Sequence, residues 1–510
     1  MEKPGRQPRA FHPLLLAAYP ALFLFARNTD EATLADLGRA LAVLISAACL
    51  VWLVARLAVR DRLKAALVVS LTVIAAFSFG YFLESVHGAT IGGLLIGRVL
   101  VVGPLWFLLF AVLLFLVVRT GRSLVSATAF ANSAALVLVG VSLAQAVVSQ
   151  FGGSRGDAKL WGEYLEKQLE AAPLLAPQPG SRAPNIYYII LDEYARADVL
   201  KGDLGFDNSE FVSALERRGF FVAERSLSNY NSTPACLAST FNLDYLQALK
   251  QKSRIESLNM PVLLEMVRES LVIRMLKNAG YSMVMLPSGH RFTESSPYAD
   301  RVCRRPGLHL NEFERVLLGK SVFSPFLALP IIHRRDVLFN LDNLGKPRDI
   351  DGPVFVFAHI MAPHPPYVFD REGNMPQQSF FGREIEYNER AMHRYTDQVV
   401  YTNKRVLEAL DRILEAEDEP PVILLQGDHG YRYLPRDHSG RLRVSNSILS
   451  AYYLPPSGGE SPDSVISPVN SFRLVFDRYL GGRYGRLPDE SYIADYGKGL
   501  RTLRLTRLEE

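Results

Sequence analysis

Residues 186–198 read Ile-Tyr-Tyr-Ile-Ile-Leu-Asp-Glu-Tyr-Ala-Arg-Ala-Asp. Six apolar residues in a row, all β-branched, aromatic or Leu, predict a strand buried on both faces; a half-exposed strand would alternate with polar residues. The run ends on two adjacent carboxylates, Asp192 and Glu193. Similar short runs recur at Phe220–Ala223, Met283–Leu286, Val354–Ala358, Val422–Leu425 and Ala451–Leu454. Stretches with helical spacing, such as Asn208–Arg217 and Tyr395–Leu414, lie between them. This alternation predicts an α/β domain with a mostly parallel sheet covered by helices on both faces. Sites in such sheets lie at the carboxyl ends of strands, so the polar residues after each run are the candidates.

Residues 1–149 differ in kind. Apolar stretches run from Phe11 to Ala26, Leu41 to Val59, Ala65 to Phe82, Val99 to Val118 and Leu124 to Val148. About 20 helical residues cross a bilayer, so the segment predicts a bundle of five transmembrane helices. The first stretch follows Lys3, Arg6 and Arg9 as a signal peptide would, but Ala26-Arg27-Asn28 is a poor cleavage site. It therefore reads as an uncleaved span. Basic residues occupy the N-terminus, the loop with Arg56, Arg60, Arg62 and Lys64, and the loop with Arg119 and Arg122. The alternate loops carry Asp30, Glu31 and Asp36, then Glu84. Basic loops stay in the cytoplasm, which places the N-terminus there and everything after about residue 150 outside.

Residues 150–183 read as a linker. Leu160 to Leu175 is amphipathic, with Trp161, Tyr164, Leu165 and Leu169 on one face; a helix lying on the membrane and a plain connecting helix both fit. Pro-Gln-Pro-Gly at 177–180 breaks the chain, and residues 184–510 form the second domain. The net charge of +4 and the lack of a long basic run exclude nucleic acid as a partner. Of the three cysteines, Cys49 lies in an apolar stretch, and Cys236 and Cys303 are able to pair. No Cys-x-x-Cys is present to hold zinc.

Four segments carry candidate chemistry. Asp192-Glu193 offers anionic oxygens to a divalent cation, or is an acid pair favoured at a helix N-terminus. Asn229-Tyr230-Asn231-Ser232-Thr233-Pro234 leads into a predicted helix over Leu237–Leu246. A hydroxyl there meets free N–H groups, suited to a phosphorylated or sulfated intermediate or simply to a helix cap. His359-Ile-Met-Ala-Pro-His364-Pro-Pro sets two of the ten histidines in one proline-stiffened loop, for metal or phosphate oxygens. Gly427-Asp428-His429-Gly430 joins a carboxylate and an imidazole at a strand end between glycines that permit a sharp turn. His290-Arg291 fits either an anionic part of the substrate or a surface salt bridge.

The order of these segments resembles the sulfatase/alkaline-phosphatase superfamily. With five spans in front, the chain looks most like its membrane-anchored branch, the lipoteichoic acid synthases and phosphoethanolamine transferases. That resemblance implies metal ligation by Glu193, in a run similar to the transferases' Glu-x-Ala-Arg-Ala-Asp, and by Asp192, Asp428 and His429. It implies Thr233 as nucleophile and metal neighbour, in a nucleophile-x-x-Ser pattern where this chain has Cys236 in the fourth place, with Ser232 as fallback. His359 and His364 match a histidine pair that contacts substrate phosphate or a second metal. The resemblance further implies a divalent ion (Mn, Mg, Ca or Zn) and a bacterial cytoplasmic-membrane protein with its catalytic domain outside. The implied reaction moves a phospho-alcohol head group from a membrane lipid to an envelope glycan or lipid through a phospho-threonine. Hydrolysis of envelope phosphate or sulfate esters is an alternative, and a non-catalytic scaffold another. Two departures stand against close kinship: Cys-x-Pro-Ser-Arg, needed for formylglycine, is absent, and so are the transferases' several disulfides.

Overall fold

A computed structural model of the chain describes residues 8–29, 32–86, 90–91, 94–95, 99–151, 154–177, 180, 182–307, 310–323, 329–345, 349–376, 389–435, 438–456, 461–496 and 503–508. Lys3, Arg6, Asp30, Glu31 and residues 178–179 of the Pro-Gln-Pro-Gly break lie outside the described residues. The Cα positions divide into two compact units. One holds the helices up to residue 151 and the segment 310–323; the other holds nearly all the remaining described residues.

The first unit contains α1 (His12–Arg27), α2 (Leu34–Ala58), α3 (Arg62–Ser85), α4 (Val99–Arg119) and α5 (Val125–Phe151). A short antiparallel pair, β1 (Thr90–Ile91) and β2 (Leu94–Leu95), precedes α4. Four of these helices are long and apolar enough to cross a membrane: Leu34–Ala58, Arg62–Leu83, Val101–Arg119 and Val125–Val148. Their outward faces are apolar, with Leu57 80%, Phe107 76% and Phe130 76% exposed, a surface that water does not favour. α1 has 16 residues, about 24 Å of helix against a core of about 30 Å, and buries Leu16, Ala21 and Phe25. Asn132 of α5 pins its entry: Oδ1 accepts the Phe11 and His12 N–H groups, and Nδ2 donates to the Arg9 carbonyl. α2 starts at Leu34 rather than the expected Leu41, because Thr33 and Asp36 form a reciprocal capping box. That polar first turn hides from a reading based on hydropathy.

The second unit opens with α6 (Ser154–Ala171) and is built on a seven-stranded sheet. Its strands are β3 (Ile186–Leu191), β4 (Phe221–Val222), β5 (Ser282–Leu286), β6 (Arg301–Val302), β7 (Val354–Ile360), β8 (Val422–Gly427) and β9 (Ser450–Tyr453). They lie in the order β4-β9-β8-β3-β7-β5-β6. From β8 to β6 the strands are parallel; β9 runs antiparallel to β8 and β4. A hairpin of β10 (Tyr492–Tyr496) and β11 (Leu503–Arg507) forms a second sheet, with Ala494 and Leu503 packed into the core on one face of the first. The helices are α7 (Ala197–Gly202), α8 (Ser209–Arg217), α9 (Thr233–Phe241), α10 (Leu246–Ser253), α11 (Met260–Arg268) and α12 (Leu271–Asn278). After α13 (Glu312–Gly319), which belongs to the first unit, come α14 (Leu329–Asn343), α15 (Glu389–Ala416), α16 (Arg441–Asn446) and α17 (Ser471–Tyr479).

Alternate residues of β3 enter two different cores. Ile186, Tyr188 and Ile190 pack with α9, α11, α12 and α17 on one face; Tyr187, Ile189 and Leu191 pack with α7, α8, α14 and α15 on the other. The mostly parallel, doubly covered sheet is therefore as expected. Leu191 is in register with Ile360 on one side and Gly427 on the other, so three strands end at one level. The expected helix over Leu237–Leu246 is instead two helices, α9 beginning at Thr233 and α10 at Leu246. Asn242 causes the break. Its Nδ2 takes the Ala238 carbonyl, the group that helix continuation would use, and its Oδ1 accepts the Leu271 N–H. β6, β10 and β11 were not read from the sequence: β6 has two residues, Asp495 interrupts β10, and β11 has only two apolar residues, Leu503 and Leu505.

Candidate active site

The level strand ends bring together three of the expected metal ligands. Asp192 follows β3; Asp428 and His429 follow β8; all three are buried. One ligand atom from each lies within 4.8 Å of the others. His429 Nε2 is 3.6 Å from Asp192 Oδ1 and 3.7 Å from Asp428 Oδ2. None of these three atoms has a hydrogen-bond partner among the described residues. Donors about 2.1 Å from a shared ion at tetrahedral angles stand about 3.4 Å apart, so the trio fits a cation. The other atoms of the trio are occupied in a way that holds it open. Asp428 Oδ1 accepts the Glu193 N–H at 3.0 Å and the His429 N–H at 2.9 Å. His429 Nδ1 faces the Gly430 carbonyl at 2.9 Å; a carbonyl only accepts, so the neutral ring carries its proton there and bares Nε2. Burial lowers the His429 pKa to about 4, which keeps the ring neutral.

The two glycines permit this turn. A Cβ on Gly427 would stand 2.6 Å from the Tyr194 carbonyl oxygen, and one on Gly430 would collide with the Val444 and Ser447 carbonyl oxygens.

Glu193 takes a different path. It sits at φ 64°, left-handed backbone that a non-glycine residue seldom adopts. Its Oε1 accepts the Arg432 N–H at 3.0 Å, and Oε2 lies 3.8 Å from His364 Nε2. Tyr395 clamps the backbone here: its hydroxyl donates to the Glu193 carbonyl at 2.7 Å and faces the Ala195 N–H at 3.0 Å. Burial pushes the Glu193 carboxyl up to about 7, against the opposing pull of His364 and Arg432. Asp192 behaves oppositely. Burial works against its charge, but His364, His359 and His429 hold it well below the usual carboxylate range. The reading of Asp192-Glu193 as a helix N-terminal pair does not hold, because the next helix begins only at Ala197.

His359 lies within β7 rather than after it, buried, with Nε2 3.2 Å from Asp192 Oδ2 and Nδ1 2.9 Å from Thr293 Oγ1. The His290 ring meets the His359 ring edge-on at 5.9 Å, whereas the Arg291 charge acts on Glu265 of α11. His364 binds the Asp192 carbonyl through its N–H at 3.1 Å, and its Nδ1 lies 2.6 Å from the Pro365 carbonyl. The peptide bonds Ala362–Pro363 and Pro365–Pro366 in this loop are cis.

Thr233 is the first residue of α9 and buried, and its hydroxyl makes no hydrogen bond among the described residues. Ser232, at the cap position, spends its Oγ on the Tyr496 hydroxyl at 2.6 Å and does not cap the helix. Cys236, one turn in, is near enough to Asp428 for that carboxylate to raise its pKa, with burial the larger cause. Its thiol donates to the Tyr230 carbonyl at 2.9 Å. Cys236 and Cys303 are both free, so the pairing open from sequence is not made.

Arg432 escaped the sequence reading. Its Nη2 stands 3.4 Å from His364 Nε2, and Glu193 holds its guanidinium above its usual value in spite of burial. The signal available was its place two residues beyond Asp428-His429-Gly430.

A family model described as Sulfatase matches residues 184–461, which span every residue named above except Tyr496. The chain belongs to the sulfatase family. It is an enzyme of the sulfatase-like type, phosphotransferase or hydrolase, and with its apolar helices an integral membrane protein. Several solved structures are similar. One is the integral membrane lipooligosaccharide phosphoethanolamine transferase A from Neisseria meningitidis, at 13% identity over 87% of this chain and 88% of that one, TM-score 0.35. Its soluble domain matches at 14% identity over 61% and 93%, TM-score 0.41. The periplasmic domain of EcEptC from Escherichia coli matches at 14% over 63% and 93%, TM-score 0.39. No curated protein matches the sequence.

Proposed function

We propose that this sulfatase-family enzyme transfers a phospho-alcohol head group, of the phosphoethanolamine or phosphoglycerol kind, from a membrane lipid to an envelope glycan or lipid. The observation that carries the reading is the buried trio of bare ligand atoms on Asp192, Asp428 and His429 at the strand ends. Those residues hold a divalent ion, with Mn, Mg, Ca and Zn all candidates and Glu193 an adjacent anionic partner. When bound, the ion supplies charge neutralisation on phosphoryl oxygens and favours the ionised form of a neighbouring hydroxyl. Thr233 is the nucleophile: its oxygen forms a bond to phosphorus as the bond to the lipid's alcohol breaks, and the alcohol leaves with a proton. An acceptor hydroxyl then takes the group from the phospho-threonine. Arg432 and His364, which converge beside Glu193, stabilise the anionic oxygens of the transferred group. His359 and His290 stand behind Asp192 and position it, with Thr293 fixing the His359 ring.

The domain limits follow the same reading: residues 1–149 anchor, 150–183 connect and 184–510 act. The N-terminus is cytoplasmic, the chain makes five crossings of the bacterial inner membrane, and the catalytic domain is periplasmic or extracellular. Support comes from the alternation of basic and acidic loops. Anchoring in the bilayer that holds the lipid donor favours transfer over free hydrolysis.

The test is mass spectrometry of the purified protein after incubation with membrane lipids. A mass adduct of a phospho-alcohol on the peptide bearing Thr233 is expected; an unmodified peptide under conditions of turnover sinks the covalent route. Head group released at a rate indifferent to acceptor favours the hydrolase.

A further inference from the structure

α6 turns one edge toward the ends of α9, α10 and α17, and a cavity of about 180 Å³ remains among them. That space takes several waters, or one small anion with part of its hydration. Its wall is polar. Trp161 of α6 is 2% exposed, and its Nε1–H, a group that only donates, has no partner among the described residues. Arg473 of α17 lines the same cavity with a buried Nε that also lacks a partner. Its guanidinium makes no hydrogen bond or ion-pair contact among the described residues, and rests over the Tyr484 ring at 5.8 Å. The acids near it are already engaged. Asp244 and Lys252 also line the cavity: the Asp244 carboxylate, whose charge reaches Arg473, holds Lys252 at 2.5 Å and accepts the Tyr245 N–H at 2.8 Å. Asp477, whose charge also reaches Arg473, accepts the Tyr484 and Gly485 N–H groups, both at 2.7 Å. Burial accordingly draws the Arg473 guanidinium below its usual value. Two buried donors without acceptors, one of them cationic, call for a ligand rich in acceptors and negatively charged.

We infer that this cavity is an oxyanion site, taking a phosphate or carboxylate group on Trp161 Nε1–H and the Arg473 guanidinium. It shares no residue with the Asp192–Asp428–His429 trio and does not depend on how that trio is read. The anion is either free in solution or the head group of a phospholipid; the recognising chemistry is the same.

The experiment uses the full chain in neutral detergent. Inorganic phosphate is titrated into wild type, Trp161→Phe, Arg473→Met and Asp428→Asn, with binding read by calorimetry and by thermal shift. Trp161→Phe removes the N–H and keeps an aromatic ring; Arg473→Met keeps the stem. Asp428→Asn controls for phosphate captured at the trio. Binding that weakens tenfold or more in both cavity variants and survives in Asp428→Asn bears the inference out. A parallel titration with a short-chain phosphatidylglycerol distinguishes the sources. A response to phosphate assigns a free anion, and a response to the lipid alone assigns a head group; either supports the site if the cavity variants abolish it. No response to either ligand, or one that both cavity variants retain, overturns it. A variant that has lost its phosphate-free melting transition is replaced by Arg473→Lys, in which weakened binding supports the site and undiminished binding counts against it.

Discussion

Asp428→Asn separates the metal reading from a purely structural one. The amide keeps Oδ1, which accepts the Glu193 and His429 N–H groups, and sets an NH₂ toward the bare Nε2 of His429. The scaffold of the turn should therefore survive. What changes is charge. Asp192 and Asp428 present oxygens within 4.8 Å of one another, and two unit charges at that separation repel by about 3.5 kcal/mol at an effective dielectric constant of about 20. Removing one charge should leave the metal-free variant at least as stable as metal-free wild type. Adding metal should reverse the order. An ion at 100 times its Kd stabilises wild type by about 2.7 kcal/mol, roughly 5 °C in melting temperature, and the variant by little. The assay is thermal unfolding of both proteins in chelator, then with excess Mn, Zn, Mg or Ca. Equal metal-induced shifts in the two proteins, or an Asp428→Asn variant much weaker than wild type in chelator, would refute the reasoning.

Thr233→Ala should abolish group transfer by at least a thousandfold and remove the mass adduct, with Thr233→Ser retaining measurable turnover; an active Thr233→Ala enzyme points to another nucleophile. Arg432→Met should lower kcat/KM by 10²–10³ while keeping a metal-induced thermal shift, because the guanidinium touches His364 and no ligand atom of the trio, and the Arg432 backbone N–H that holds Glu193 survives the substitution. In the metal-free protein two buried groups move stability in opposite directions as pH falls. Between about 6.5 and 4 unfolded His429 takes up a proton that the buried ring, with its pKa near 4, refuses, a loss approaching about 3 kcal/mol; between about 7 and 4.5 buried Glu193 keeps a proton that the unfolded carboxyl has lost, a gain of about the same size. His429→Gln removes only the first, so it should gain stability relative to wild type as pH falls from about 6.5 to 4 in a thermal-unfolding series in chelator; a difference that does not change with pH would refute the assignment. The Cys236 thiol, pushed up by burial, should resist maleimide at pH 7.5 in the native protein and react on unfolding. Rapid native labelling would contradict its placement under Tyr230.

Much of this architecture is carried by short-range pattern. β3 is legible because every residue from Ile186 to Leu191 is buried, so no polar residue interrupts the run. The turn after β8 is legible because Gly427 and Gly430 face backbone oxygens that exclude any side chain. Features set by distant partners are not legible. Asn242 breaks a helix by binding Leu271, 29 positions away. Ser232 is tied to Tyr496, 264 positions away, a link that no local pattern announces.

The pair Asp192 and Glu193 shows where the line falls. Adjacent identical charges after a strand read as equivalent ligands, yet neighbouring residues at a strand end need not point the same way. The left-handed backbone at Glu193, clamped by Tyr395 from 202 positions along, swings one carboxylate to Arg432 and leaves the other facing His429. Burial then acts on both, but the three histidines around Asp192 outweigh it while His364 and Arg432 beside Glu193 do not. Two carboxylates one residue apart thus hold opposite proton preferences, the condition under which one serves as permanent ligand and the other can exchange a proton near neutral pH. Nothing in the dipeptide encodes that division. It is made by α15 and the loop after β8, and it is why Glu193 and Asp192 should not substitute for one another in the trio.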